Sequence, residues 1–227
     1  MVNVPRLIAF DLDGTLIDSR RDLAESANEL IAVLGGTPLS EEAVAGMVGD
    51  GAALLVKRAL DAAGLEHPRF AVQRFLEIYD TRLVNHTRVY DGIIEALQVA
   101  REHARLGVLT NKPLRPTERL LAAFSVRDLF HSVIGGDGPY PRKPDPVGLL
   151  AMMDMTGASP ERTLMVGDSV IDYETARRAS VRSCIVSYGF GFRTFPRDRI
   201  DEGNEVVGDA AALTGVIQRF VDSSCAR

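Results

Sequence analysis

Short apolar segments alternate with helical patterns along most of this chain, and that rhythm restricts the fold more than any other feature. The strand candidates are Arg6–Phe10, Ala104–Leu109, Ser132–Ile134, Thr163–Val166 and Val181–Val186. Between them run helical patterns over Gly92–His103, Pro116–Phe124, Pro146–Thr156 and Val170–Ala179. Strand, helix, strand in succession produces a parallel sheet, because each helical crossover returns the chain to its starting edge. The expected fold class is α/β: a Rossmann-like parallel sheet core with helices on both faces.

The rhythm breaks once. From Ser19 to about His86 the pattern is helical throughout, over Arg20–Leu34, Ser40–Ala45, Ala52–Ala63 and Arg69–Asn85. Gly35-Gly36 and Pro38 separate the first two helices. A small all-α cap domain inserted after the first strand is expected, over residues 19–86. Residues 1–18 and 87–227 would form the core. A length of 227 residues suits a core domain carrying a smaller one.

Composition narrows the partners. There is no apolar run long enough to span a bilayer, which takes about 18 residues. Met1–Phe10 lacks the extended apolar region and cleavage site of a signal peptide, so a cytoplasmic location is expected. The net charge of −5 argues against nucleic acid and against an anionic membrane, both of which call for a basic face. It leaves room for an anionic small substrate, since a metal and one or two lysines reverse the local field. Cys184, in an apolar run, reads as a core residue and Cys225, in the polar tail after Phe220, as a free surface thiol. His67, His86, His103 and His131 are scattered, with no ligand spacing. Monomer and homodimer both remain open.

The informative residues sit where strands end. The first strand runs into Asp11-Leu12-Asp13-Gly14-Thr15, and the second into Thr110-Asn111-Lys112. A loop after the third carries Lys143-Pro144-Asp145-Pro146, and the fourth ends in Gly167-Asp168-Ser169, with Asp172 four residues past Asp168. Ligands of open parallel sheets sit outside the carboxyl ends of the strands, so these clusters converge on one edge. Asp11 and Asp13, two apart on extended chain, face the same side. Gly14 lets the chain turn and exposes N–H groups that suit an anion. Two carboxylates so close call for a cation, and magnesium takes such oxygen ligands. Asp11 and Asp168 are the natural side-chain ligands, and Asp172 binds either the ion or one of its waters. Lys143 offers a point charge to phosphate oxygens and Thr110 a hydroxyl. Phosphate monoesters need accelerations of up to ~10²¹-fold. A carboxylate nucleophile divides that barrier in two, and a second carboxyl, Asp13, serves as acid and then base.

With these motifs in this order, the chain resembles the haloacid dehalogenase-like superfamily of phosphohydrolases over nearly its whole length. The resemblance implies that Asp11 is the nucleophile and a magnesium ligand. It implies that Asp13 is the general acid/base, with its backbone carbonyl on the metal. Thr110, Lys143 and the backbone at Asn111 would bind the phosphoryl group, Asp168 the magnesium, and Asp172 would support it. The helical insert resembles the family's cap. Val48-Gly49-Asp50-Gly51-Ala52, Leu109-Thr110-Asn111-Lys112-Pro113, Gly135-Gly136-Asp137 and Ser187-Tyr188-Gly189-Phe190 resemble the phosphoglycolate phosphatase branch. There the Gly49–Gly51 loop would bring N–H groups to a small carboxylate. Asp50 departs from the asparagine common in that branch and would repel such a group.

Local structure accounts for some of the same residues. Ser169 suits a helix N-cap and Asp172 a first helical turn. Gly49 and Gly51 suit a helix boundary, Arg20 and Arg21 a solvated helix face, and Tyr188, Phe190 and Phe192 packing. The rivals to a phosphatase are a sugar phosphomutase with the same cap, a dehalogenase, in which Asp13 would have no task, and a non-catalytic binding protein.

Overall fold

The computed structural model describes residues 5–200 and 204–222. In chain order its strands are β1 (Leu7–Phe10), β2 (Ile17–Asp18), β3 (Arg88–Val89), β4 (Arg105–Leu109), β5 (Ser132–Ile134), β6 (Thr163–Gly167), β7 (Arg182–Val186) and β8 (Asn204–Val207). Its α-helices are α1 (Arg20–Val33), α2 (Glu41–Ala45), α3 (Ala52–Ala62), α4 (Ala71–Asp80), α5 (Ile93–His103), α6 (Leu114–Ala123), α7 (Val147–Thr156), α8 (Val170–Arg178) and α9 (Ala210–Asp222). Six strands form one parallel sheet in the order β5-β4-β1-β6-β7-β8. The chain builds outward from β1 through β4 to β5, then crosses back to lay β6 on the other side of β1. That reversal opens a crevice at the carboxyl end of β1, where such sheets bind ligands.

β1 shows how the core forms. All four of its residues are buried, as a central parallel strand covered on both faces requires. Side chains alternate between faces. Leu7 and Ala9 join Leu149 and Met152 of α7 and Ala176 of α8. Ile8 and Phe10 join Leu97 of α5 and Leu213 and Ile217 of α9. Cys184 is a fully buried member of this second cluster, while Cys225 lies outside the described residues.

The helices α1 to α4 lie between β2 and β3. These two-residue strands pair antiparallel, Ile17 with Val89 and Asp18 with Arg88, so the outgoing and returning chains run side by side. Asp22 of α1 fastens them. It is fully buried and accepts hydrogen bonds from the His86 and Thr87 amides at 2.9 and 2.7 Å and from the Thr87 hydroxyl at 2.7 Å. α1 packs on α2, α3 and α4, and the Phe75 and Tyr79 rings of α4 stack 5.9 Å apart at 10°.

Some elements differ from the sequence expectation. α4 is shorter than the expected Arg69–Asn85 and gives way to turns after Asp80. α6 starts two residues before Pro116. The proline sits in the first turn, where its missing N–H had no intrahelical acceptor to lose. The edge strand β8 and the helix α9 were not expected, and nor was the β2–β3 pair.

Candidate active site

Asp11 extends β1 by one step. Its amide donates to the Val166 carbonyl at 2.9 Å, so the ladder with β6 delivers the carboxyl to the sheet edge. Thr110 extends β4 in the same way, its amide bonded to the Ile134 carbonyl at 3.0 Å. Beyond Asp11 the chain tightens: the Gly14 amide donates to the Ile17 carbonyl at 2.9 Å. Gly14 has φ +88°, and a Cβ there would stand 2.0 Å from Asp168 Oδ2. Only glycine lets the two acidic loops approach this closely.

Asp11, Asp13, Thr110, Asn111, Lys143 and Asp168 line one cleft of about 50 Å³. Its floor is a buried charge cluster. Lys143 Nζ donates to Asp11 Oδ1 at 2.8 Å and to Asp172 Oδ1 at 2.6 Å. Asp172 is fully buried, and its other oxygen accepts from the Ser169 amide at 3.1 Å and hydroxyl at 2.6 Å. Ser169 and Asp172 form the capping box that starts α8, so the cap role open to Ser169 is the one it fills. Asp168 Oδ2 accepts from the Gly191 amide at 2.7 Å.

Electrostatics in this floor are unbalanced. Asp11 and Asp172 share one ammonium, and Asp168 adds a third carboxyl beside theirs. Burial, offset in part by Lys143 and reinforced by Asp172, pushes the Asp11 carboxyl up to about 6. Burial and then the neighbouring Asp172 and Asp11 push Asp168 well above the usual carboxylate range. Burial opposes the charge on Lys143, yet Asp11 and Asp172 hold it protonated, above its ordinary value. Carboxylate oxygens of Asp11, Asp168 and Asp172 all lie within 4.8 Å of one another. Converging oxygen donors whose ionised forms repel one another fit a hard divalent cation.

Asp13 is held differently. Its Oδ1 accepts from the Ser19 hydroxyl at 2.6 Å, and Lys112 Nζ reaches its two oxygens at 3.0 and 3.1 Å. Ser19 stands at the N-cap of α1 but makes no side-chain cap bond there; its hydroxyl serves Asp13 instead. Asn111 Nδ2 donates to the Gly49 carbonyl at 2.8 Å and the Lys143 carbonyl at 2.9 Å.

The loop at Gly49–Gly51 therefore presents a carbonyl to the core, and Gly51 N-caps α3 with φ +92°. Asp50 is neutralised by Arg58, 2.6 Å away, which removes the repulsion expected of it. Arg20 is bound to Asp18 at 2.7 Å, and Arg21 pairs with Glu25 at 2.9 Å on the surface. Phe190 lines the cleft, and the Tyr188 hydroxyl donates to the Thr15 carbonyl at 3.0 Å. His86 meets Asp22 and Glu25 in space. The Asp22 oxygens there are taken by backbone and hydroxyl donors, and Glu25 faces Arg21 and Arg82. Sequence reasoning missed Lys112, Ser19 and Tyr79. Lys112 had one signal, its place beside Thr110 and Asn111 at a strand end.

Comparison with known proteins covers the same residues. Residues 8–186 match the family model described as haloacid dehalogenase-like hydrolase. A phosphoglycolate phosphatase of Pseudomonas putida is 40% identical over 194 residues, covering 82% of this chain and 71% of that protein. One of Rhodospirillum rubrum is 40% identical over 196 residues, covering 82% and 81%. The crystal structure of a predicted phosphoglycolate phosphatase from Haemophilus somnus 129pt superposes with a TM-score of 0.86 at 29% identity, over 95% of this chain and 99% of that one.

Proposed function

The chain belongs to the haloacid dehalogenase-like hydrolases, and from that premise we propose that it hydrolyses a small phosphate monoester, 2-phosphoglycolate, with Asp11 as nucleophile. The observation that carries this reading is the pairing of Asp11 with Lys143 at 2.8 Å in a buried floor, with Asp13 facing the same cleft. The names of the Pseudomonas putida and Rhodospirillum rubrum relatives and the small cleft supply the substrate.

Each residue has a step. Lys143, Thr110 and the backbone amide of Asn111 bind the phosphoryl oxygens. The Gly14 amide, expected to join them, is bonded to the Ile17 carbonyl inside the turn, and Gly14 serves instead by admitting Asp168. An Asp11 oxygen attacks phosphorus, the ester P–O bond breaks, and Asp13 gives its proton to the departing alkoxide. Asp13 then removes a proton from a water molecule, which displaces phosphate and restores Asp11. Asp11, Asp168 and the Asp13 carbonyl are the groups that would hold magnesium, and Asp172 holds Lys143 and the start of α8. When bound, the ion supplies positive charge against the phosphoryl oxygens. Residues 19–86 act as a cap over the core of residues 1–18 and 87–227 and exclude bulk water from the reaction. Among the described residues no helix is long and apolar enough to cross a membrane.

The test is phosphate release, with magnesium, from 2-phosphoglycolate, sugar monophosphates, nucleotides, pyrophosphate and phosphoserine, with Asp11→Asn as control. The highest kcat/KM for 2-phosphoglycolate is expected. A better ester elsewhere in the panel removes that substrate, and retention of phosphoryl on a sugar bisphosphate replaces hydrolysis by a mutase reaction.

A further inference from the structure

Lys112 is a buried cation that the hydrolysis described above leaves without a task. Its side chain is 5% exposed. Taking an ammonium out of water costs several kcal/mol, so a lysine in this place needs partners. Nζ has three N–H donors. They meet Asp13 at 3.0 and 3.1 Å and the face of the Tyr79 ring, with Nζ 4.5 Å from its centroid. The other cation lining the cleft is Lys143, already committed to Asp11 and Asp172.

Tyr79 supplies an independent observation. The residue is 2% exposed. Its hydroxyl oxygen lies beside the Lys112 ammonium, which can only donate, so the hydroxyl proton has no acceptor. Burial pushes that phenol up to about 12 even with Lys112 beside it, so it keeps its proton and remains a donor at any working pH. A buried donor without an acceptor is costly and rare, and it calls for an acceptor from outside the chain. The ring is fixed against Phe75, so the hydroxyl does not swing away to find water. Leu23, Leu55, Phe75 and Leu76 also line the cleft.

We infer that Lys112 and the Tyr79 hydroxyl form a subsite for an anionic group on the leaving alcohol, a carboxylate one carbon from the ester oxygen. The proposal rests on the reading of Asp13 as the acid that meets the ester oxygen, and it deepens that reading. Lys112 lies directly against Asp13. A carboxylate one carbon past the oxygen that Asp13 protonates therefore comes within reach of the ammonium. A neutral arm leaves the Tyr79 hydroxyl without its acceptor and brings no charge to the ammonium. Sites built on buried donors discriminate strongly against ligands lacking the matching acceptor.

Binding, measured apart from turnover, tests this. In an Asp11→Asn background with magnesium, 2-phosphoglycolate and 2-hydroxyethyl phosphate are titrated calorimetrically. The two esters match in length and differ in the terminal charge. The carboxylate ester is expected to bind about ten- to a hundredfold more tightly, the range of a charge-assisted hydrogen bond. Adding Tyr79→Phe, which keeps the ring stack, should remove most of that ratio, and Lys112→Met should remove it. Equal affinity for the two esters, no binding of either, or a preference that survives both substitutions overturns the subsite. Failure of the wild-type chain to turn over 2-phosphoglycolate, with the binding preference intact, overturns the substrate and leaves the subsite standing.

Discussion

The side-chain amide of Asn111 donates to the carbonyl of Gly49, 2.8 Å away, and so joins the end of β4 to the loop that starts α3. The same nitrogen donates to the Lys143 carbonyl at 2.9 Å. One residue thus ties the segment that carries Lys143 to the helical insert. Asn111→Ala removes two hydrogen bonds, one buried and one partly buried, each worth about 1 kcal/mol net. Stability is expected to fall by about 1–3 kcal/mol in urea unfolding. The kcat/KM is expected to fall by about tenfold or more, because the insert no longer seats on the core. Wild-type kinetics in that variant would remove Asn111 from the coupling.

Asp11→Asn separates the chemistry from the fold. If Asp11 is the nucleophile as proposed, its loss should reduce phosphate release by about 10³-fold or more. Lys143 keeps Asp172 at 2.6 Å, so the substitution does not orphan a buried ammonium. The effect on stability follows from the sign of the shift. A carboxyl raised from 3.8 to about 6 by folding binds its proton more tightly in the native state. Its contribution is complete below the unfolded value and is lost as pH rises through about 6. Asparagine resembles the protonated form, so without metal the variant should melt above the wild type at pH 7 to 8 and lose that advantage near pH 4. A lower melting temperature across the whole range would contradict this account of the charge cluster.

How much of this was legible in the sequence depends on whether a residue acts along its own strand or across space. β1, β4, β6 and β7 bury nearly every residue, so they read as short apolar runs, and β5 lay within bounds that needed no change. Asp11, Thr110 and Asp168 follow directly from the strand ends. β8 carries the exposed Glu205 and Val206, an edge strand without a clear pattern, and β2 and β3 are too short to carry a period. α9 does have one, Leu213, Val216, Ile217 and Phe220, and was legible though not predicted. Tyr79 is another matter. It stands 33 residues before Lys112 in the chain, and only the packing of α4 brings its ring over that ammonium. Asp172 was equally suited to metal and to helix capping. Its bond to Ser169 follows the Ser-x-x-Asp spacing of a capping box, while its bond to Lys143, 29 residues away, could not be read from spacing.

The acidic floor predicts a pH-dependent response to metal. Asp11 and Asp168 are held above the usual carboxylate range chiefly by burial, and a divalent cation must displace their protons to bind. Magnesium should therefore raise the melting temperature more at about pH 8 than at about pH 5, where protonation competes. Asp168→Asn should abolish most of the shift at both values, and a chelator should reverse the shift in the wild type. An equal magnesium response at the two pH values, or one retained by Asp168→Asn, would place the ion elsewhere.

Gly189 gives a prediction about the frame around Asp168. A Cβ at Gly189 would stand 2.3 Å from the Gly14 carbonyl oxygen and 2.3 Å from Asp168 Cβ. Neither neighbour is the end of a flexible side chain, so an alanine there must push the loop after β7 away from the loop after β1. The same segment carries the Tyr188 hydroxyl bond to Thr15 and the Gly191 amide bond to Asp168, and both would be stretched. Overpacking of this kind costs about 1–3 kcal/mol, which lowers the melting temperature of a chain this size by roughly 3–10 °C. The magnesium-induced shift should shrink as well, because Asp168 loses the amide that orients it. Gly208→Ala is the matched control. Its nearest neighbour outside the adjoining residues would be Ser187 Oγ at 4.0 Å, so it should leave both stability and metal response within about 0.5 kcal/mol of the wild type. If Gly189→Ala behaves like Gly208→Ala, the two loops have slack between them, and the close approach of Gly14, Asp168 and Gly189 does not govern where Asp168 points.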